Sequence, residues 1–101
     1  MKYNKLIRDK IPEIIKQDNK KPITHIASNK EYWKKLKEKL KEEVKEFLEK
    51  DNKEEFADIL EVIHTISDFK DFDKDEINKI RETKAKKRGR FKDKIILDEI
   101  I

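Results

Sequence analysis

The sequence predicts an all-α fold, in which an antiparallel helical hairpin and further helices form a small bundle. Through the middle of the chain, apolar residues recur at the three- and four-residue spacing of helices. Two of these stretches are separated only by the polar break Asp51-Asn52, which is too short for anything but an antiparallel return. The β-branched stretch at residues 22–26 is too short to establish a strand, so we expect an extended connector there.

The first predicted helix is short and covers residues 12–17. Pro12 suits the first turn of a helix and prevents a helix from running through it from the residues before. The segment ahead of it carries Arg8 and Lys10, which are candidates for binding phosphate. Ordinary surface charge is the simpler interpretation of either residue alone.

The second helix is predicted over residues 31–50, and Ser28 with Glu31 forms a capping pair at its start. Trp33 lies in its first turn, where it either joins the core or stacks on a nucleobase. The third helix is predicted over residues 53–69. It carries a broad apolar stripe that favours burial of one face. His64 lies away from the acid-bearing face, so we expect a buried or interfacial histidine.

A fourth helix is predicted to start at the capping pair Asp73 and Glu76 and to reach about Arg88. Gly89, the only glycine, then fits a C-terminal cap in the left-handed conformation. The ending, FKDKIILDEII, is apolar. We expect it to pack against the helices of its own chain or those of a neighbour.

Two pairs of acids flank the break of the hairpin. Glu43 and Glu46 precede it, Glu55 and Asp58 follow it, and the members of each pair are three residues apart. This spacing sets the two side chains of a pair roughly 60° apart on one helix face, so both can reach a common point. Carboxylates that face one another beside apolar stripes repel and lose hydration, so we expect the four acids either to have raised pKa values or to bind a cation.

Hard oxygen ligands of this kind suit Mg²⁺, or Mn²⁺, with positions left for water and phosphate oxygens. Two simpler interpretations stand beside this one. Helices rich in Glu and Lys produce such pairs by chance, and Glu55 is placed to complete a capping box with Asn52.

The composition sets the class of protein. One hundred and one residues predict one small domain, residues 1–101, and 35% apolar content is lean for a core, so we expect an oligomer. Without cysteine the chain cannot form disulfides, and two histidines make an imidazole metal site improbable. We see no apolar leader and no run long enough for a membrane span, so we expect a cytoplasmic protein that does not enter membranes.

The net charge of +4 conceals two oppositely charged regions. Residues 38–61 hold ten acids against five lysines, whereas residues 84–94 hold seven basic residues and one aspartate. This distribution favours a metal held by one region and phosphates held by the other. A basic tail that binds nucleic acid is the alternative.

Four blocks of the sequence together resemble the MazG-like, phosphoribosyl-ATP pyrophosphohydrolase-like, all-α nucleotide pyrophosphohydrolases. They are KLIRDKIPEII, LKEEVKEFLE, EEFADILEVI and IRETKAKKRGRF, in this order over nearly the whole chain. The resemblance implies Mg²⁺ bound through Glu43 and Glu46 on one helix and Glu55 and Asp58 on the next. It also implies cleavage of a nucleoside triphosphate between the α and β phosphates, often by a homodimer or homotetramer.

Only eight residues separate Glu46 from Glu55, which is shorter than usual in MazG-type enzymes. The turn must therefore be tight, and Glu42, or Glu61 in another register, could share the metal. The match to the histidine-biosynthesis enzyme itself is loose, so phosphoribosyl-ATP is not assigned as the substrate.

The sequence therefore predicts metal-assisted hydrolysis of a nucleoside triphosphate to a monophosphate and pyrophosphate. A carboxylate not fully engaged with the metal, Glu42 or Glu46, is the candidate to take a proton from the attacking water, beside the metal ligand Glu43. The candidates for binding the substrate are Arg8, Lys10, Trp33, Lys84, Lys87, Arg88 and Arg90. The alternatives are a basic nucleic-acid-binding module and a regulatory interaction module, in either of which the acidic hairpin is not catalytic.

Overall fold

The computed structural model describes residues 2–101 and contains four helices. They are α1 (Ile11–Gln17), α2 (Asn29–Lys50), α3 (Lys53–Phe69) and α4 (Lys74–Arg88). No strand occurs in this described part of the chain, so the prediction of an all-α protein is confirmed. The bounds of α3 agree with the predicted ones, and α1 and α2 begin one and two residues earlier than predicted.

Ser28 starts α2 as predicted, because its hydroxyl oxygen accepts a hydrogen bond from the backbone N–H of Glu31 at 3.2 Å. The carboxylate of Glu31 does not return to Ser28. It turns instead to His25, whose Nε2 lies 2.9 Å from Oε1 of Glu31. Only half of the predicted capping box therefore forms, and its acidic member ties the connector to the helix.

The turn between α2 and α3 is made by Asp51 and Asn52. Asp51 adopts the left-handed conformation, with φ 55° and ψ 42°, and donates its N–H to the carbonyl oxygen of Phe47 at 2.7 Å. Asn52 then caps α3, since its Oδ1 accepts from the N–H of Glu55 at 2.9 Å. The rings of Phe47 and Phe56 lie 5.4 Å apart across the turn, so the helices return antiparallel as predicted.

The interior of the hairpin is small. Within residues 2–101 the buried apolar side chains are Leu36 of α2, 1% exposed, and Val62 of α3, 8% exposed. Five large apolar side chains of the two helices remain more than a third exposed: Val44, Leu48, Phe56, Leu60 and Ile63. His64 is exposed as well, so the expectation that it is buried within the chain is wrong.

The chain forms two compact units, which we call the hairpin unit, up to Ile66, and the C-terminal unit, from Ser67 to Ile101. The single domain inferred from chain length remains a prediction. None of the helices in the described residues combines the length and the apolarity that crossing a membrane requires.

In the C-terminal unit, Asp73 caps α4 as predicted, and its Oδ1 accepts from the N–H groups of Asp75 at 2.8 Å and Glu76 at 3.4 Å. Gly89 ends the helix with a positive φ of 81°, but its ψ of −178° is not that of a left-handed helix. Only glycine adopts this conformation without strain.

The apolar side chains of the tail that follows α4 are exposed. Its large apolar residues are between 74% and 113% exposed. They are Phe91, Ile95, Ile96, Leu97, Ile100 and Ile101. The expectation of packing within the chain is therefore wrong, and packing against a neighbouring chain remains a prediction.

Candidate metal centre

Three carboxylates from the two helices of the hairpin meet at one point. Glu43 of α2 and Glu55 and Asp58 of α3 each contribute one carboxylate oxygen, and the three oxygens all lie within 4.8 Å of one another. We call these residues the acid cluster. They are three of the four metal ligands that the sequence predicts, and both helices contribute.

The acid cluster is partly shielded from water. The side chain of Glu43 is 9% exposed and that of Glu55 is 12% exposed, whereas that of Asp58 is 38% exposed. The Oε2 atoms of Glu43 and Glu55 are both buried and have no hydrogen-bond partner. A buried carboxylate oxygen without a partner costs free energy, so these two atoms fit an environment that includes a cation.

The sequence places the glutamates here through a seven-residue spacing on each helix. Glu43 follows the buried Leu36 by seven residues, and Glu55 precedes the buried Val62 by seven. Seven residues bring a helix back to within about 20° of the same direction, so each glutamate lies in line with the most buried apolar residue of its helix. Burying those two apolar residues therefore turns both glutamates inward.

Each member of the acid cluster forms an ion pair with one basic side chain. Lys39 Nζ lies 3.3 Å from Oε1 of Glu43, and Lys50 Nζ lies 3.3 Å from Oε1 of Glu55. Arg8 donates from Nη2 to Oδ1 of Asp58 at 2.8 Å. The basic groups occupy one oxygen of each carboxylate, and the buried Oε2 atoms of the two glutamates stay without partners.

Glu46 lies close to the acid cluster but is not one of the three residues whose oxygens converge. The negative charge of Glu43 raises the pKa of Glu46, with further contributions from burial and from the neighbouring carboxylate of Glu55, while Lys50 opposes the shift. The hydrogen bond that Lys50 donates to Glu55 raises the pKa of Lys50. Glu46 is therefore electrostatically coupled to the acid cluster and holds a proton more tightly than an ordinary glutamate.

Glu42, the other predicted proton acceptor, is held by lysines. Its Oε1 lies 3.5 Å from Lys5 Nζ and its Oε2 lies 3.6 Å from Lys39 Nζ. Both of its oxygens are engaged in ion pairs, and it does not belong to the acid cluster. Of the two predicted proton acceptors, Glu46 is the better placed.

The predicted substrate-binding residues fall in three places. Arg8 contacts the acid cluster directly, and Lys10 is exposed at the N-cap position of α1. Trp33 is half-buried on α2, with Lys37 Nζ 5.2 Å from its ring centroid.

The remaining four lie in the C-terminal unit: Lys84, Lys87 and Arg88 are exposed on α4, and Arg90 follows the helix. Arg90 forms two hydrogen bonds with the carboxylate of Glu82, at 2.8 and 3.0 Å. Both bonds are donated by Nη2, and they engage Arg90 within its own unit.

The sequence interpretation did not identify Lys39 and Lys50 as partners of the acids. A pattern for Lys39 is present, because a lysine and a glutamate four residues apart on a helix face one another. No local pattern exists for Arg8 and Asp58, which are fifty residues apart in the chain.

The acid cluster is therefore a set of hard oxygen ligands near the turn of the hairpin. Two of its residues, Glu43 and Glu55, each have one buried oxygen without a partner. Such a set fits Mg²⁺ or Mn²⁺, since these ions prefer carboxylate oxygens and keep several coordination positions for water or phosphate. Comparisons of the chain with protein-family models, with curated proteins and with solved structures find no match.

Proposed function

We propose that this protein is a Mg²⁺-dependent nucleotide pyrophosphohydrolase of the MazG-like kind. It would cleave a nucleoside triphosphate between the α and β phosphates and release a monophosphate and pyrophosphate. The observation that carries the proposal is the pair of buried, unpartnered oxygens on Glu43 and Glu55 beside the carboxylate of Asp58. A structure that only displayed surface charge would have no reason to bury these atoms.

In this proposal the three residues of the acid cluster hold the ion, with Mn²⁺ as a substitute for Mg²⁺. The ion, when bound, neutralises phosphate charge and activates a water molecule. Lys39 and Lys50 each pair with one oxygen of Glu43 and Glu55, which leaves the other oxygen of each glutamate for the ion. Glu46 takes the proton of the attacking water on its carboxylate, because its raised pKa makes it a stronger base than an ordinary glutamate.

We also propose that the protein acts as a homodimer or homotetramer. The support comes from the hairpin unit, in which Leu36 and Val62 are buried while Val44, Leu48 and Phe56 stay exposed. Two buried side chains make a small core for a unit of this length, and self-association would remove the exposed apolar side chains from water. The exposed tail is a second apolar surface that a neighbouring chain could cover.

The experiment measures pyrophosphate release from a panel of nucleoside triphosphates in the presence of Mg²⁺. We expect Glu43→Gln and Asp58→Asn each to lose about 100-fold or more in activity, since even the outer-shell partners of metal ligands contribute about 10–100-fold. The matched controls are Glu49→Gln on α2 and Glu54→Gln on α3. Both are exposed acids outside the acid cluster, and we expect them to keep wild-type activity. Unchanged turnover in both cluster variants would exclude the acid cluster from the chemistry.

The second candidate function is nucleic-acid binding through the C-terminal unit. The observation that favours it is the exposure of Lys84, Lys87 and Arg88 on a helix whose residues are nearly all exposed. Such binding needs no divalent ion and weakens steeply with salt. It is therefore distinguished from the first function by its independence of Mg²⁺.

A further inference from the structure

We propose that Arg8 competes with the divalent ion for Asp58, so that the ion binds well only when nucleotide phosphates draw Arg8 away. This inference rests on the proposed function, because it concerns the same acid cluster. It assigns Arg8 a role beyond contact with phosphate: it makes metal binding and nucleotide binding depend on each other.

The competition follows from the contact itself. The Arg8 guanidinium donates from Nη2 to Oδ1 of Asp58 at 2.8 Å, the short distance of a hydrogen bond between charged groups. Asp58 also supplies one of the three oxygens that converge at the acid cluster. A divalent ion at that point would share the carboxylate with a positive charge. The two cations repel one another, and the ion binds more weakly than it would without Arg8.

Arg8 is held in this place by the segment that carries it. The carbonyl oxygen of Asn4 accepts from Lys35 Nζ at 2.7 Å, and Lys5 Nζ lies 3.5 Å from Glu42. Leu6 and Ile7, which lie between Lys5 and Arg8, are half-buried. The segment is thus attached to α2 at two points, and Arg8 stays near Asp58 at a high effective concentration.

Arg8 differs from Lys39 in its freedom to leave the acid cluster. Lys39 lies on the same helix as Glu43 and is only 19% exposed, so it is a fixed neighbour. The Arg8 side chain is 59% exposed and belongs to a segment without regular secondary structure. A guanidinium has five N–H donors in a planar fork that matches phosphate oxygens, so a bound nucleotide offers it a second partner.

These properties predict positive coupling between the ion and the nucleotide. The phosphates attract Arg8, Asp58 loses its competing partner, and the affinity for the ion rises. By thermodynamic reciprocity the ion must raise the affinity for the nucleotide by the same factor. Typical coupling factors are about 5–150, which is large enough to measure by calorimetry.

The experiment measures Mn²⁺ binding to the full chain by titration calorimetry, first without nucleotide and then with a nucleotide analogue that has a methylene group between the α and β phosphates. Without nucleotide, we expect Arg8→Gln to bind Mn²⁺ about fivefold or more tightly than wild type. The matched control is Lys2→Gln, which removes a positive charge from an exposed residue of the same segment that takes part in neither attachment to α2. We expect less than a twofold change there.

With the analogue present, wild type should bind Mn²⁺ about fivefold or more tightly than without it, and the increase should be smaller in Arg8→Gln, where only direct contact between the phosphates and the ion remains. Equal or weaker Mn²⁺ binding by Arg8→Gln in the absence of nucleotide would overturn the role of Arg8 while leaving the metal site in place. An increase of equal size in Arg8→Gln and in wild type would overturn the coupling. Failure of both proteins to bind Mn²⁺ would overturn the proposed metal site, and the role of Arg8 with it.

Discussion

The hairpin unit and the C-terminal unit hold their charges in opposite ways. In the hairpin unit, the side chains of Glu43 and Glu55 are about nine-tenths buried and each keeps one oxygen without a partner. On α4 of the C-terminal unit, every residue is exposed except the half-buried Ala85. Placing a charge in the interior costs free energy, whereas a solvated charge costs almost nothing. Buried acids therefore need an explanation that the exposed lysines do not.

The apolar residues of the two units differ in the same way. Leu36 and Val62 are buried and stand seven residues from Glu43 and Glu55, so they fix the directions of these acids. Ile77 and Ile80, the apolar stripe of α4, are 37% and 45% exposed. The hairpin therefore has a core that positions functional groups, and the exposed stripe of α4 does not position its basic residues in this manner.

The largest expected effect on folding tests this difference directly. Replacing Leu36 with alanine should lower the free energy of unfolding by about 2–5 kcal/mol, because it removes a fully buried side chain and leaves a cavity. The matched variant Ile77→Ala should cost far less, since Ile77 already contacts water. Urea denaturation followed by circular dichroism measures both values.

Leu36→Ala should also reduce the thermal stabilisation that Mg²⁺ gives, because Glu43 depends on Leu36 for its direction. Ligand binding to the folded state raises stability in proportion to the logarithm of ligand concentration, so a titration reports it directly. If Leu36→Ala and Ile77→Ala lowered the free energy of unfolding by similar amounts, the two units would not differ in how they bury apolar residues.

A smaller effect is expected from the basic residues of α4. Neutralising Lys84, Lys87 and Arg88 together to glutamine should change the free energy of unfolding far less than Leu36→Ala does, since all three side chains are exposed and exposed charges contribute little each. Urea denaturation followed by circular dichroism measures the change.

The same triple variant separates the two candidate functions. If the C-terminal unit bound nucleic acid, the variant would lose that binding, and the slope of log affinity against log salt would fall by about 0.9 for each lost phosphate contact. Salt-dependent nucleic-acid binding that the variant loses, in a wild-type protein that releases no pyrophosphate from nucleotides, would favour the second function over the first.

The features that follow local spacing could be predicted from the sequence. The bounds of α3, the capping residues Ser28 and Asp73 and the tight return at Asp51 all depend on residues within one or two turns. The convergence of Glu43 with Glu55 and Asp58 also follows, since a short turn brings the ends of two helices together.

Other features depend on contacts between residues far apart in the chain. The pair of Arg8 and Asp58 has no local pattern, so the sequence indicated a phosphate ligand and not a partner of the acid cluster. Glu31 was expected to complete a capping box and turned to His25 instead, because the helix start offers two acceptable partners to one carboxylate. Glu55 shows both kinds of feature. Its backbone N–H donates to the capping residue Asn52, which is a local contact, whereas its carboxylate joins the acid cluster.

The smallest effect expected is a dependence of stability on pH caused by Glu46. The charge of Glu43 raises the pKa of Glu46 in the folded protein above its usual value of 4.5. Between these two values the folded protein holds a proton that the unfolded chain has released. The contribution of Glu46 to stability is therefore fully present below pH 4.5 and is lost as pH rises through the raised pKa.

Glu46→Gln cannot lose this contribution, so its melting temperature should fall less than that of wild type as pH rises from 4 to 7 without metal. Glu49→Gln, an exposed acid on the same helix, is the matched control and should follow the wild-type profile. Adding Mg²⁺ should bring the wild-type profile toward that of Glu46→Gln, because the ion neutralises the charge of Glu43 that repels Glu46. Identical profiles for wild type and Glu46→Gln without metal would mean that the acids of α2 do not repel one another, and with that the electrostatic difference between the two units would disappear.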